Sequence, residues 1–548
     1  MRFSSRYLFI LILISGMTGA GFVLRSDAYF LIKKNFTIFS EVYENVSSIY
    51  INEVDPEQLI RSGINAMLDE LDPYTVLIDE SESHQMDIVT TGQYAGVGLE
   101  IGARGGQLVV IAPIEGYSAE KRGIRTGDVI MEVDGIDVSQ MSPEDIQSLL
   151  RGEPGSKVIL TIHRFGIEDN LDFELTRETI DVKNISYYGL LEEEPRIGYV
   201  LLQRFTQNAA EEVRSAILEM EEEGSMEGLV LDLRNNPGGL LDEAVKLIDI
   251  FIPAGQKVVW TEGRMSRANQ VYETSEDPVF KNKPLIILQN HGSASASEIV
   301  SGSLQDLDRA VIIGERSFGK GLVQIIQPLS YNTALKITTS KYFTASGRSI
   351  QSTPFVTGED VGSTDQVHDS LRNRFTTKSG RTVYEGIGIE PDILKENRQQ
   401  SMLEIALLQN SHYFFFANEY TSEHEHFDQH NDRDMLFNEF MQYLDDNEFQ
   451  YTTRAERHLQ RFGESLDEFL NEESIRPIQE MEELIAIEKE KVKEKYSEYI
   501  KRELYLELVS RYEGRTGRMQ KSLINDELTL EAIDVLKDNS RYASIINP

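Results

Sequence analysis

Short apolar runs constrain this chain most: Val200-Leu-Leu-Gln203, Gly228-Leu-Val-Leu-Asp-Leu233, Pro284-Leu-Ile-Ile-Leu288 and Ala310-Val-Ile-Ile313. Each is too short for a helix and bulky enough for a buried strand. Between them lie Ala209 to Leu218, Leu240 to Phe251 and Glu298 to Leu304, which read as helices. Strands that are apolar on both faces need covering layers on both sides. Alternation with helices therefore predicts a parallel or mixed α/β sheet. Function in such sheets gathers just beyond the strand C-termini. Three segments fall there: Arg234-Asn-Asn-Pro-Gly-Gly239, Asn290-His-Gly-Ser-Ala-Ser-Ala-Ser-Glu-Ile-Val300 and Ser317-Phe-Gly-Lys-Gly321.

At 548 residues the chain is too long for one core. Its texture divides it into residues 1–26, an N-terminal helical segment 27–88, a small β-rich unit 89–170, the α/β core 171–395 and an acidic helical region 396–548. In the β-rich unit, Asp134-Gly135 marks a tight turn and Ser142-Pro143 a helix start. Pro354 to Thr382 is polar and rich in Gly, Ser, Thr and Asp, and reads as a long surface loop. Behind Arg2 and Arg6, the uncharged run from Tyr7 to Leu24 is a cleaved export signal or an uncleaved anchor, and its length favours neither. Either way the bulk of the protein is expected outside the cytoplasm, in the cell envelope, with membrane association through residues 7–24 if the run is an anchor. A net charge of −37 argues against nucleic acid as the partner. The absence of cysteine excludes disulfides, thiol chemistry and cysteine-ligated zinc.

Ser295 follows an apolar strand and opens a helix. Ser295-Ala-Ser-Glu298 matches a capping box, so the hydroxyl has a purely structural reading. The same position lies beside free N–H groups at the positive end of a helix dipole, where an oxyanion would be stabilised. The Ala296 N–H is the natural first donor. Gly238 or Gly239 opens the preceding helix and could give the second. Lys320, on a glycine-flanked loop, becomes a base only if burial keeps its amine neutral, and Phe318 is expected to help dry it. Gln324, four residues on, could hold that amine, or could merely share a strand face with it. A serine activated by a neutral lysine needs no histidine, metal or cofactor. Gly314 to Gly321 nearly spells a phosphate loop, but Gly321 stands where a Ser or Thr is needed and a strand follows. His291 lies four residues from Ser295 with no acidic orienter in view. His424, His426 and His430 read as a solvated acidic stretch rather than a metal site.

Taken together, Asp72-Pro-Tyr-Thr75, Gly228 to Gly239, Gly292 to Glu298, Gly314-Glu315, Phe318 to Gly321 with Gln324, Ser346-Gly-Arg348 and Gly388-Ile-Glu-Pro-Asp392 resemble the C-terminal processing (tail-specific) peptidases. These are Ser/Lys serine proteases with an embedded PDZ domain, and the likeness covers roughly residues 35 to 395. It implies a multi-domain α/β protein with a crotonase-like ββα core. It implies that Ser295 attacks the scissile carbonyl and forms an acyl-enzyme. Lys320 would be general base and then acid, and Gln324 would orient Lys320. Ala296 and Gly238 or Gly239 would bind the oxyanion. The β-rich unit would be the PDZ domain, with Tyr94, Ala95, Gly96, Val97, Gly98 and Leu99 as its carboxylate loop and strand. Arg151 would contact the substrate tail or the core, or simply complement its helix end. The partners implied are proteins or peptides with exposed C-termini. The helical region beyond Glu396 lies outside the motifs and reads as a site of homo-oligomerisation, a partner surface or a cover for the core. Two other readings stay open: a non-catalytic PDZ scaffold, and a Ser/His hydrolase using His291.

Overall fold

The computed structural model describes residues 29–79, 88, 91–191, 194, 196–352, 372–396, 398–427, 433–465 and 472–547. The uncharged run at 7–24 and His430 lie outside them. Among the described residues no helix is long and apolar enough to cross a membrane. The chain divides into two compact units.

The smaller unit holds residues 29–79 and 324–338. Residues 29–49 are helical, and a second helix, Pro56–Asp69, starts where Asp55 accepts the Glu57 and Gln58 N–H groups. Leu71-Asp-Pro-Tyr-Thr75 breaks the helical pattern in the sequence, and a strand follows the break. Asp72 accepts the Tyr74 and Thr75 N–H groups and the Thr75 hydroxyl, a local turn that competes with helix. Val76–Ile78 then forms a strand antiparallel to Ala334–Lys336.

The larger unit begins with the β-rich domain. Leu99–Arg104, Gln107–Pro113, Val129–Val133, Lys157–His163 and Leu171–Thr176 are neighbours in that order, joined antiparallel. The turn between its third strand and the short strand Ile136–Asp137 has φ 51° at Asp134 and 77° at Gly135. Two successive positive φ values make the primed turn that suits strand twist. Helix Pro143–Leu150, capped by Ser142, lays Ile146 and Leu150 on a core of Val97, Val110, Ile130 and Leu160.

The central sheet runs β1 (Ile185–Leu190), β2 (Ile197–Leu202), β3 (Gly228–Asp232), β4 (Leu285–Gln289), β5 (Val311–Gly314) and β6 (Ile393–Leu394) in simple order. Only β1 pairs antiparallel. Every residue of β2 to β5 is buried, as the continuous apolar runs require. Alternate side chains serve two cores. Leu229 and Leu231 join α1 (Ala209–Glu223), α2 (Leu241–Asp249) and α3 (Ala296–Asp306) on one face. Tyr199, Val230 and Ile286 join Leu528, Ala532 and Val535 of α4 (Glu527–Lys537) on the other. The end of the C-terminal helical region is thus the second layer of the core. Earlier helices of that region pack against the β-rich domain: Phe414 meets Val109 and Val129, and Arg515 pairs with Glu100 at 2.7 Å.

Of the stretch read as a loop, residues 354–371 lie outside the described residues; within the rest, Arg374–Thr376 pairs antiparallel with Thr382–Tyr384 as a hairpin. Before it, Arg348 is among the most buried large side chains of the chain, 1% exposed, and its guanidinium lies 2.8 Å from Asp306 at the end of α3. Asp306 also accepts the Ser346 N–H and the Thr344 hydroxyl. Removing the cation would strand a buried carboxylate. Arg348→Leu is expected to lower the unfolding free energy by about 3–5 kcal/mol, read by denaturant titration.

Candidate active site

Three loops meet at the C-terminal ends of β3, β4 and β5, where the strand pattern places function. The first two are stitched together by backbone and amide bonds. Asn290 Oδ1 accepts the Asn235 N–H at 2.9 Å, and Asn290 Nδ2 donates to Asn235 Oδ1 at 2.9 Å. The Ser293 hydroxyl donates to the Leu233 carbonyl at 2.8 Å, and the Ala294 N–H to the Asn236 carbonyl at 3.0 Å. The Ser297 hydroxyl also reaches the Asn236 carbonyl, at 2.9 Å. The third loop joins through the Phe318 N–H, which donates to the Ser293 carbonyl at 3.0 Å.

Ser295 stands at the junction of these loops with α3. Its φ is 55° and ψ −112°. An ordinary N-cap is extended. A non-glycine residue held in so sparse a region costs on the order of 1–3 kcal/mol and persists only where its surroundings over-determine it. The cap reading alone gives no reason for that strain. Helix α3 is buried along its whole length, so its N-terminal N–H groups work in a dry setting. Ala296 is its first residue, and its N–H has no intrahelical acceptor.

Gly238 and Gly239 pass close beneath. A Cβ on Gly238, at φ 94°, would lie 2.9 Å from Ser295 Cβ and 2.8 Å from the Ala296 nitrogen, so only glycine permits this approach. The Gly238 N–H is already donated to Asn236 Oδ1 at 2.9 Å. Among the described residues the Gly239 N–H takes no partner, while its neighbours bond to Phe205.

Lys320 is half-buried. Its backbone and that of Ser295 are held by the same two groups. Glu298 Oε2 accepts the Ser295 N–H at 2.8 Å and the Lys320 N–H at 2.9 Å. The Tyr342 hydroxyl lies 3.1 Å from the Ser295 carbonyl oxygen and 2.6 Å from that of Lys320. Glu298 Oε1 accepts from the Ser317 hydroxyl at 2.5 Å and the Gly319 N–H at 2.6 Å. Burial pushes the Glu298 carboxyl up to about 7, with those four donors pulling the other way. Phe318 does not shield the lysine as expected, since it is 50% exposed. Buried Tyr342 occupies that neighbourhood instead. The partners of Glu298 were not legible from sequence, because three of them come from 19 to 22 positions away.

Gln324 belongs to the smaller unit, where its amide donates to Thr338 Oγ1 at 3.3 Å. His291 is exposed and has no hydrogen-bond partner among the described residues, so the Ser/His reading lacks an orienting acid. No metal-binding group of His, Asp and Glu occurs among the described residues.

In the β-rich domain, Tyr94, Gly96, Val97, Leu99 and Arg151 line one cavity of about 2500 Å³. Ala95 pairs with Thr179 in a two-stranded ladder. Gly98, at φ 77°, accepts the Ile114 N–H at its carbonyl. Burial raises the Tyr94 phenol pKa, and Arg151 acts against that rise. Arg151 follows the last residue of its helix, with a 3.5 Å contact to Gln147.

The comparisons agree with this architecture. Residues 196–358 match the model for "Peptidase family S41", 109–164 the model for "PDZ domain" and 403–536 that for "Probable PDZ-protease, C-terminal helical domain". The carboxy-terminal-processing protease of Bartonella bacilliformis is 39% identical over 58% of this chain and 73% of its own length. The carboxy-terminal processing protease CtpA of Bacillus subtilis is 31% identical over 60% of this chain and 70% of its own. The solved photosystem II D1 C-terminal processing protease aligns at 28% identity and a TM-score of 0.34, over 66% of this chain and 92% of that one. The chain belongs to the carboxy-terminal-processing proteases, serine-type peptidases of family S41 that carry a PDZ domain.

Proposed function

We propose that this protein is an exported endopeptidase that captures substrate C-termini at its PDZ domain and cuts peptide bonds with Ser295 and Lys320. Neutral Lys320 takes the Ser295 proton as Oγ bonds to the scissile carbonyl carbon. The C–N bond breaks, and the proton leaves with the amine. Water then enters by the same route and releases the acyl group from Ser295. The oxyanion is held by the Ala296 N–H and by Gly239 or Gly238. Gly239 has the uncommitted N–H, and Gly238 the closer approach to Ser295. The family resemblance is the only ground for giving Gln324 the task of orienting Lys320. A substrate tail adds as a strand along Leu99, with its carboxylate near the Tyr94–Gly98 loop and Arg151 beside it. Export rests on the uncharged run behind Arg2 and Arg6, whether it is cleaved or stays as a membrane anchor.

The observation that carries this reading is the strained Ser295 backbone at the mouth of a buried helix, bound to the Lys320 backbone through one carboxylate oxygen. The test is cleavage of an unfolded protein with an apolar tail, by protein lacking residues 1–26. Amidating the tail carboxylate should raise KM about tenfold, the effect of losing roughly 1.4 kcal/mol of binding. Tail binding without cleavage, and no labelling of Ser295 by a fluorophosphonate in the presence of tails, would instead leave the scaffold reading.

A further inference from the structure

We infer that the C-terminal helical region supplies a positioning residue to the catalytic centre: Asp526, acting through Arg234 on the loop that carries Gly238 and Gly239. The inference rests on Ser295 being the nucleophile, as proposed above.

Arg234 is the first residue of that loop after β3. Its backbone N–H donates to Asp232 Oδ1 at 2.8 Å, and its Nε to Asp232 Oδ2 at 2.8 Å. Asp232 is 1% exposed and is also bonded by the Tyr199 hydroxyl. One guanidinium edge therefore faces the core sheet. The other faces the helical region: Arg234 Nη1 lies 3.1 Å and 3.0 Å from the two Asp526 oxygens. Asp526 is 292 positions away in sequence, at the start of α4. The next residue of the loop, Asn235, is the one bonded to Asn290 on the serine loop. The guanidinium thus pins the root of a turn whose far end touches Ser295.

Asp526 has a second task. It caps α4, accepting the Thr529 N–H at 2.8 Å and the Thr529 hydroxyl at 2.6 Å. Burial opposes its charge, but Arg234 and Thr529 hold its carboxyl below the usual range. A cap needs only a short acceptor. Serine would serve there nearly as well as aspartate. Reaching across to a guanidinium needs the longer, charged group, and such contacts are stronger than neutral ones.

That difference gives the test, with full-length protein and a tailed substrate. Asp526→Ser should keep the cap, leave KM unchanged and lower kcat about tenfold when assayed well below its melting midpoint, which falls because the largely buried Arg234 loses one of its two carboxylate partners. Asp526→Asn should lower kcat about threefold, since one neutral acceptor remains. In an Arg234→Ala background, Asp526→Ser should change kcat less than about twofold, because its target is gone. Unchanged kcat in both single variants overturns the inference. So does an effect confined to KM, or an equal loss in the Arg234→Ala background. If Asp526→Ser does not fold, Asp526→Asn alone carries the test under the same criteria. Should Ser295→Ala remain active, the nucleophile assignment is what has failed. Should Ser295→Ala be inactive and both Asp526 variants fully active, only this inference has failed.

Discussion

Ser295→Ala and Lys320→Ala should each lower kcat by about 10⁴-fold or more on a tailed protein substrate, while tail peptides still bind. The double variant should be no worse than either single one, because a nucleophile without its base and a base without its nucleophile fail at the same step. Ser295→Gly separates catalysis from structure. Glycine relieves a backbone held at φ 55°. As a helix cap it costs only a few tenths of a kcal/mol against serine. The glycine variant should therefore be inactive and about 1 kcal/mol more stable than the wild type in denaturant unfolding. A hydroxyl kept only as a cap would leave all four variants active, and that result would sink the proposed mechanism. Retained activity in Lys320→Ala alone would sink the base assignment and leave the serine standing.

The α/β sheet was legible because its strands are buried on both faces, which forces unbroken apolar runs such as Leu285 to Leu288. Strands with weak burial were not legible. Val76–Ile78 begins with an exposed residue, and the Arg374–Thr376 hairpin is partly polar and only three residues a side. Nothing in their composition competes with a loop reading. The C-terminal region read correctly as helical, and covering the core was one of three tasks open to it, but the sequence did not say which helix covers which face. Leu528 and Ala532 look like any amphipathic helix until the sheet face they cover is known. At the site, local grammar found the serine, its helix and the glycines. It also found Glu298, as a capping residue, and the capping bond to the Ser295 N–H exists. The pattern could not reveal the second half of that carboxylate's work. The Ser317, Gly319 and Lys320 donors reach it through tertiary folding, as Asp526 reaches Arg234.

Glu298→Gln should lower kcat about 100-fold with little change in KM. Its carboxylate receives four donors, two on each oxygen. An amide has one acceptor oxygen, so its NH2 must face either the Ser295 and Lys320 N–H groups or the Gly319 N–H. Either choice moves the serine and lysine loops relative to each other, and a displacement of about 1 Å at reacting groups can cost about 100-fold. The same logic predicts an unusual pH signature. Desolvation favours the neutral acid and the donors favour the carboxylate, and the balance falls at about 7 in the folded protein, against 4.5 when exposed. Between those values the folded state binds the extra proton. Stability from this group is therefore full below about 4.5 and is lost as pH rises to about 7, by about 3 kcal/mol in all. Activity should run the other way. Only the ionised form accepts all four donors, so kcat should climb through pH 7 while unfolding becomes easier. In Glu298→Gln the stability slope between pH 4.5 and 7 should flatten by that amount, and the limb of the kcat profile centred on 7 should disappear from the residual activity. A limb that stays at 7 in the glutamine variant would belong to another group, and Glu298 would then be a helix cap and no more.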